Sequence, residues 1–260
     1  MDRLPELKAR LDALRPLSPD HIKLLWPQWR AEDALFVYAT NAVEGSTLTL
    51  AETIVVLEEG VTVGGKPVRD HLDAINGQKA YSLMLDLAQQ RAHVDLALIL
   101  DLHRAVVGDV PYAGQLRDQP VYIRGSMHVP PNYAKVPRLM NELLEGLRST
   151  PHVHPVAASS QMHFDLLTIH PFVDGNGRTA RLLQNLYLIR EGFVPVLIGP
   201  DEKMRYFDVL QRGQVAVPGI GDATEFIGYM AELERQQMER YLAALRTAHG
   251  DTPADSGGMS

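Results

Sequence analysis

Along most of the chain, apolar residues recur every three or four positions, the rhythm of amphipathic helices. It is visible over Asp20–Trp29 and Ala31–Val43, and Gly45 follows as a helix stop. Thr49-Leu50-Ala51-Glu52 is a capping box that opens a short helix ending before Gly60, and Gly64-Gly65-Lys66-Pro67 is a turn. The pattern then predicts helices from about Arg69 to Gln90 and from Asp95 to Val107. Further helices are predicted over Val136–Arg148, Pro155–Ile169, Gly177–Arg190, Asp201–Gln211 and Ala223–Leu245. One segment breaks the rhythm. Val121-Tyr122-Ile123-Arg124 and Met127-His128-Val129 are β-prone runs about Gly125-Ser126, which predicts a short hairpin. From Thr247 the chain is rich in Gly, Ser, Asp and Pro and is expected to be disordered. The fold class is therefore all-α with one short β-hairpin, without internal repeats.

Composition narrows the chemistry. A chain of 260 residues can bury a sizeable core, and the absence of cysteine excludes disulfides, thiol nucleophiles and thiolate metal sites. With 25 basic against 32 acidic residues and a net charge of −7, neither nucleic acid nor an anionic membrane is expected as a partner. The first residues are charged and no apolar run is long enough to span a bilayer, so a cytoplasmic location is expected.

The informative stretch is His170-Pro171-Phe172-Val173-Asp174-Gly175-Asn176-Gly177-Arg178-Thr179-Ala180-Arg181, between two apolar helices. The first turn of a helix has unpaired N–H groups and the positive end of the macrodipole. Gly175 and Gly177 let an anion approach the backbone, Asn176 offers an amide donor, and Arg178 and Arg181 share one helix face. Asp174 is a single carboxylate beside this cradle, which suits Mg²⁺ on a phosphate chain. His170 is the group best able to accept a proton near neutrality. Singly, each has a blander use: a helix-end cation, a turn, a solvated face. Together they point to transfer of a phosphorus-containing group. His152 and His154 lack a convincing third metal ligand, His163 is expected to be a packing or hydrogen-bonding partner, and Trp26 and Trp29 to be core.

The stretch resembles the core motif of the Fic family, His-x-Phe-x-Asp/Glu-Gly-Asn-Gly-Arg-x-x-Arg, at every fixed position. That resemblance implies a Fic-type helical bundle and a protein adenylyltransferase (AMPylator) moving AMP from ATP to a Ser, Thr or Tyr hydroxyl, with release of pyrophosphate. His170 would take the hydroxyl proton and Asp174 would hold Mg²⁺. Gly175, Asn176 and Gly177 would form the anion hole, and Arg178, Thr179, Ala180 and Arg181 would complete the nucleotide site. Phe172 would anchor the loop. Thr40-Asn41-Ala42-Val43-Glu44-Gly45 resembles the family's inhibitory motif, Ser/Thr-x-x-x-Glu-Gly/Asn. Its glutamate, here Glu44, would pair with Arg181 and block the γ-phosphate, or orient a water that removes AMP from a modified target. Residues 46–50 and 64–71 resemble the same subgroup. Tyr122, Ile123, Arg124, Gly125, Ser126 and Met127 resemble the flap that positions the target. Tyr206, Phe207 and Gln214 stand where relatives place adenosine contacts.

The expected organisation is an inhibitory helical region over 1–60, a Fic core over 61–246 and a tail over 247–260. The expected partners are a nucleotide and an acceptor protein, the chain itself among the candidates, with homodimerisation as a control on inhibition. Two alternatives keep the fold: a different nucleotide or phosphate-containing donor, and a non-catalytic adaptor.

Overall fold

A computed structural model describes residues 1, 3–15, 33–149, 153–217 and 221–248. Among them are ten α-helices: α1 (Leu4–Ala13), α2 (33–44), α3 (Leu50–Glu59), α4 (Val68–Gln89), α5 (Leu96–Val107), α6 (Val136–Ser149), α7 (Pro155–Ile169), α8 (Asn176–Arg190), α9 (Lys203–Ala216) and α10 (Thr224–Ala248). None is long and apolar enough to cross a membrane.

α7 and α8, joined by the short loop 170–175, form a central helical hairpin. α4 and α5 pack together and onto α8, α6 and α10 flank α7, and α1 lies along α10. α8 is buried on nearly every side, and its buried set includes Arg178, Thr179, Arg181, Gln184 and Asn185. So many polar groups in a core helix mark a site. Fully buried Leu166, Phe172, Leu183 and Leu186 fix the hairpin and hence the loop between its helices. A smaller cluster of Val37, Leu48, Val56 and Ala74 seats α2 and α3 on α4.

Several expectations change. α1, missed in the charged N-terminal stretch, buries Leu4, Leu7 and Leu11 on one face against α10. α9 follows a 3₁₀ turn at Pro200–Glu202 and runs past Gln211 to Ala216, while α10 continues past Leu245 to Ala248. The hairpin carries no strand pairing. Residues 121–129 form an open loop about one turn, closed by Ser126 N–H to Ile123 C=O at 3.1 Å, with Gly125 at φ 79°. Pro120, Pro130 and Pro131 lack the N–H groups that a ladder needs at its base. His154 caps α7 by accepting from the Val156 N–H at 3.3 Å, which gives it a structural role. The helix expected at 20–29, Trp26, Trp29, His152 and the tail from 249 onward lie outside the described residues.

Glu234 of α10 is fully buried. Its Oε1 accepts from Val194 N–H at 3.3 Å, its Oε2 has no partner, and burial pushes its pKa up to about 8. The folded chain therefore holds a proton that the unfolded chain, with an ordinary value of 4.5, releases. Stability falls as pH rises from 4.5 to about 8 and is level above that. Glu234→Gln is expected to stabilise the protein by up to about 3 kcal/mol at neutral pH, with the gain vanishing toward pH 4.5. Denaturant unfolding at pH 5 and pH 8 checks this; an equal gain at both contradicts it.

Candidate active site

The site begins where α7 ends. His170 takes the left-handed conformation (φ 51°, ψ 61°) and its N–H bonds the Leu166 carbonyl at 2.8 Å. A non-glycine residue held there costs energy and persists only where its surroundings enforce it. Arg117 does much of that enforcing. Its buried guanidinium donates to His170 O at 2.8 Å, and to Gln119 O at 3.1 Å and Pro131 O at 2.6 Å at the base of the flap, while its N–H bonds Pro171 O at 2.8 Å. The catalytic-loop backbone and the flap thus hang on one side chain.

Asn176 closes the loop from within. Its Oδ1 accepts from Phe172 N–H and its Nδ2 donates to Phe172 O, both at 2.9 Å. Its amide is therefore consumed in the loop instead of being offered to a ligand, and only its backbone remains for an anion. His103 stacks flat on Phe172, with ring centroids 3.8 Å apart, and bridges Asp174 O at 3.0 Å and Gly114 N–H at 3.0 Å. Gly114 can only donate, so His103 Nδ1 accepts and Nε2–H faces the Asp174 carbonyl. Desolvation lowers its pKa to about 4, which keeps that neutral tautomer. Gly175, at φ 80°, leaves no room for a Cβ against Val107. It begins α8, whose first turn no side chain caps.

His170 is desolvated, and its pKa falls to about 4; neighbouring Arg117 pushes the same way, Leu167 C=O and Glu44 the other. Its ring is thus neutral near pH 7. Nδ1 is buried without a partner of good geometry, which leaves Nε2 for an incoming group. Asp174 Oδ1 accepts from Gly175 N–H at 2.7 Å and Oδ2 from Arg69 at 2.7 Å. Arg178 is buried, pairs with Asp73 of α4, lies 3.7 Å from Asp174 Oδ1, and keeps Nε unpartnered.

Arg181 meets the inhibitory segment. Its NH2 bonds Glu44 Oε1 at 2.7 Å and Thr40 O at 3.1 Å, and its Nε bonds Thr40 Oγ1 at 2.7 Å. A Cβ on Gly177 would overlap the Glu44 carboxylate. An anionic group therefore already lies over the glycine at the start of α8. Behind Arg181, Tyr206 OH lies 2.9 Å from His163 Nε2, and His163 Nδ1 lies 2.5 Å from Gln184 Oε1. His163 is the hydrogen-bonding partner expected of it.

The remaining predicted residues fall in different places. Thr179, Ala180 and Tyr206 are fully buried, so Tyr206 backs Arg181 instead of lining the open cleft, and the first two side chains face the core. Phe207 is exposed beside Tyr206. Gln214 is buried, 3.4 Å from Thr168 Oγ1, and lines with Met127 a largely apolar cavity of about 830 Å³ that includes neither His170 nor Asp174. On the flap, Tyr122, Arg124, Gly125 and Met127 are exposed, Ile123 and Ser126 half-buried, and Met127 N–H bonds Gln211 of α9 at 2.8 Å. Sequence reasoning missed Arg69, Asp73, His103 and Arg117. Arg69 lies in the 64–71 segment that resembles the subgroup but was given no role, and His103 left a signal as a histidine among Ile99, Leu102 and Val106 on a buried helix face.

Residues 93–188 match the Fic/DOC family model. The chain is 34% identical over 223 residues to protein adenylyltransferase fic-1 of Caenorhabditis briggsae, covering 84% of the chain and 43% of that protein. It is 34% identical over 250 residues to protein adenylyltransferase Fic of Aedes aegypti, covering 93% of the chain and 48% of that protein. It thus spans somewhat under half the length of these relatives. Among solved structures, Fic-1 of Caenorhabditis elegans superposes with a TM-score of 0.82 at 31% identity, covering 95% of the chain and 73% of that structure. A Fic domain containing signaling protein from Bacteroides thetaiotaomicron gives 0.83 at 25% identity, covering 95% and 98%. The chain belongs to the Fic/DOC family.

Proposed function

We propose that the cleft transfers AMP from ATP to a protein hydroxyl and that Glu44 holds it in check. The observation that carries this reading is the Glu44 carboxylate over Gly177, paired with Arg181 where phosphate would lie. A site that accepts a carboxylate on a helix N-terminus and a buried guanidinium is built for anions. The names of the relatives, protein adenylyltransferases, supply the group transferred.

In the reaction, neutral His170 takes the proton of a Ser, Thr or Tyr hydroxyl as its oxygen attacks the α-phosphorus. The bond from that phosphorus to the bridging oxygen breaks, and pyrophosphate leaves with the electron pair. The amides of 176–178 and the two arginines stabilise the charge on the phosphate oxygens. Asp174, partly exposed, is the carboxylate that would hold Mg²⁺. Such an ion, bound mainly through phosphate and water, would supply charge neutralisation. The exposed flap residues offer an edge along which the acceptor segment can be held.

Parallel incubations of the Glu44→Gly chain with α-labelled and γ-labelled ATP test the reading. Label on protein from the α-position alone is expected. Label from the γ-position alone would make the cleft a phosphotransferase instead.

A further inference from the structure

Arg69 stands in the first turn of α4, and its side chain is 69% exposed, yet its guanidinium is engaged with the site. NH2 lies 2.7 Å from Asp174 Oδ2, and Nε lies 3.5 Å from Asp73 Oδ2. Asp73 in turn pairs with buried Arg178, which faces Asp174 Oδ1. Each Asp174 oxygen thus already carries one hydrogen bond: Oδ1 takes the Gly175 N–H and Oδ2 takes Arg69. An ion pair this exposed adds little to folding stability. What it does place is a positive charge on the carboxylate through which the loop would meet a cation.

We propose that Arg69 is a latch on Asp174 that makes cation binding conditional on a phosphate-bearing nucleotide. The proposal rests on the reading of Asp174 as the cation's carboxylate. A divalent cation arriving alone must displace the guanidinium from Oδ2 or bind beside it, and in either case faces that positive charge. A cation arriving with a nucleotide brings phosphate oxygens, the preferred partners of a guanidinium. The released side chain, long and unburied, then has an anion to grip beside the α8 N-terminus. Cation and nucleotide consequently bind with positive coupling, and by linkage each raises the other's affinity by the same factor.

The sign of the effect separates a latch from a structural residue. Removing the guanidinium should tighten binding of the cation alone while weakening binding of the nucleotide. A residue that merely shaped the loop would weaken both. The probes are Mn²⁺, followed by the resonance of the free ion, and ADP, whose phosphates stop short of the segment that Glu44 blocks. Arg69→Gln is expected to bind Mn²⁺ without ADP up to about fivefold more tightly at low salt, the ceiling for an exposed pair. It should bind ADP with Mn²⁺ about tenfold more weakly, for loss of one charge-assisted contact. Arg69→Lys, which keeps the charge, should fall between the two. Mn²⁺ affinity without ADP that is unchanged or weaker in Arg69→Gln overturns the latch. Asp174→Asn tests the premise separately: without ADP it should abolish Mn²⁺ binding, and undiminished binding there would overturn the reading of Asp174 and the latch with it.

Discussion

Replacing Glu44 by glycine is expected to raise the initial rate of AMP transfer from α-labelled ATP by about tenfold or more, the scale of one charge-assisted hydrogen bond relocated from an inhibitor to a substrate. The side chain of Arg181 is 4% exposed and that of Glu44 39%, so the guanidinium is the fixed partner and the carboxylate the removable one. Glu44 lies in the last turn of α2, where the helix dipole disfavours a negative charge; Arg181 holds it there. With the carboxylate gone, the space over Gly177 and one arm of Arg181 open to the γ-phosphate. The same change leaves a buried cation with no carboxylate partner, held only by Thr40 and the Tyr206 ring. The variant should therefore melt at a lower temperature than the parent and recover on adding ATP. If Glu44 instead activates water to remove AMP, the modified acceptor will accumulate while the initial rate stays at the parent's level.

His170→Ala, placed in the Glu44→Gly background, is expected to remove transfer by a factor of about 10² to 10⁴, the range for loss of a general base. Binding should survive, because the anion contacts come from α8 and its arginines. Calorimetry with ATP should therefore give similar affinity before and after the substitution. The pH profile carries the sharper signature. Transfer requires the neutral imidazole, and desolvation places the free-protein pKa at about 4. The acid limb of kcat/KM should accordingly fall near pH 4, well below the ordinary histidine value of 6.5. A limb near 6.5 would mean that the base is a more exposed group.

The phosphate cradle was legible in the sequence because its parts are local. A glycine turn, a helix start and two arginines one turn apart assemble wherever that stretch folds. The pairing of Glu44 with Arg181 spans most of the chain and was available only through resemblance to a family. What escaped were functions set by tertiary neighbours. Asn176 was read as a donor to ligand, yet Phe172 of its own loop takes both ends of its amide. Tyr206 was read as facing the nucleotide, but the packing of α9 turns it inward onto His163. Arg117 and Asp73 were unremarked because an arginine in a loop and an aspartate on a helix are ordinary until their partners are known. The expected hairpin has no strand pairing over 121–129, where Pro120, Pro130 and Pro131 at its base deny the flanking positions their donors.

Of all these outcomes, the products formed on proteins by the Glu44→Gly chain test the account most directly. A cell lysate incubated with that chain and ATP, digested and analysed by mass spectrometry, is expected to show adenylyl groups on Ser, Thr or Tyr hydroxyls that are absent when His170 is also replaced. Adenylyl groups of the same pattern and amount from the His170-substituted chain, or none from either, would contradict it.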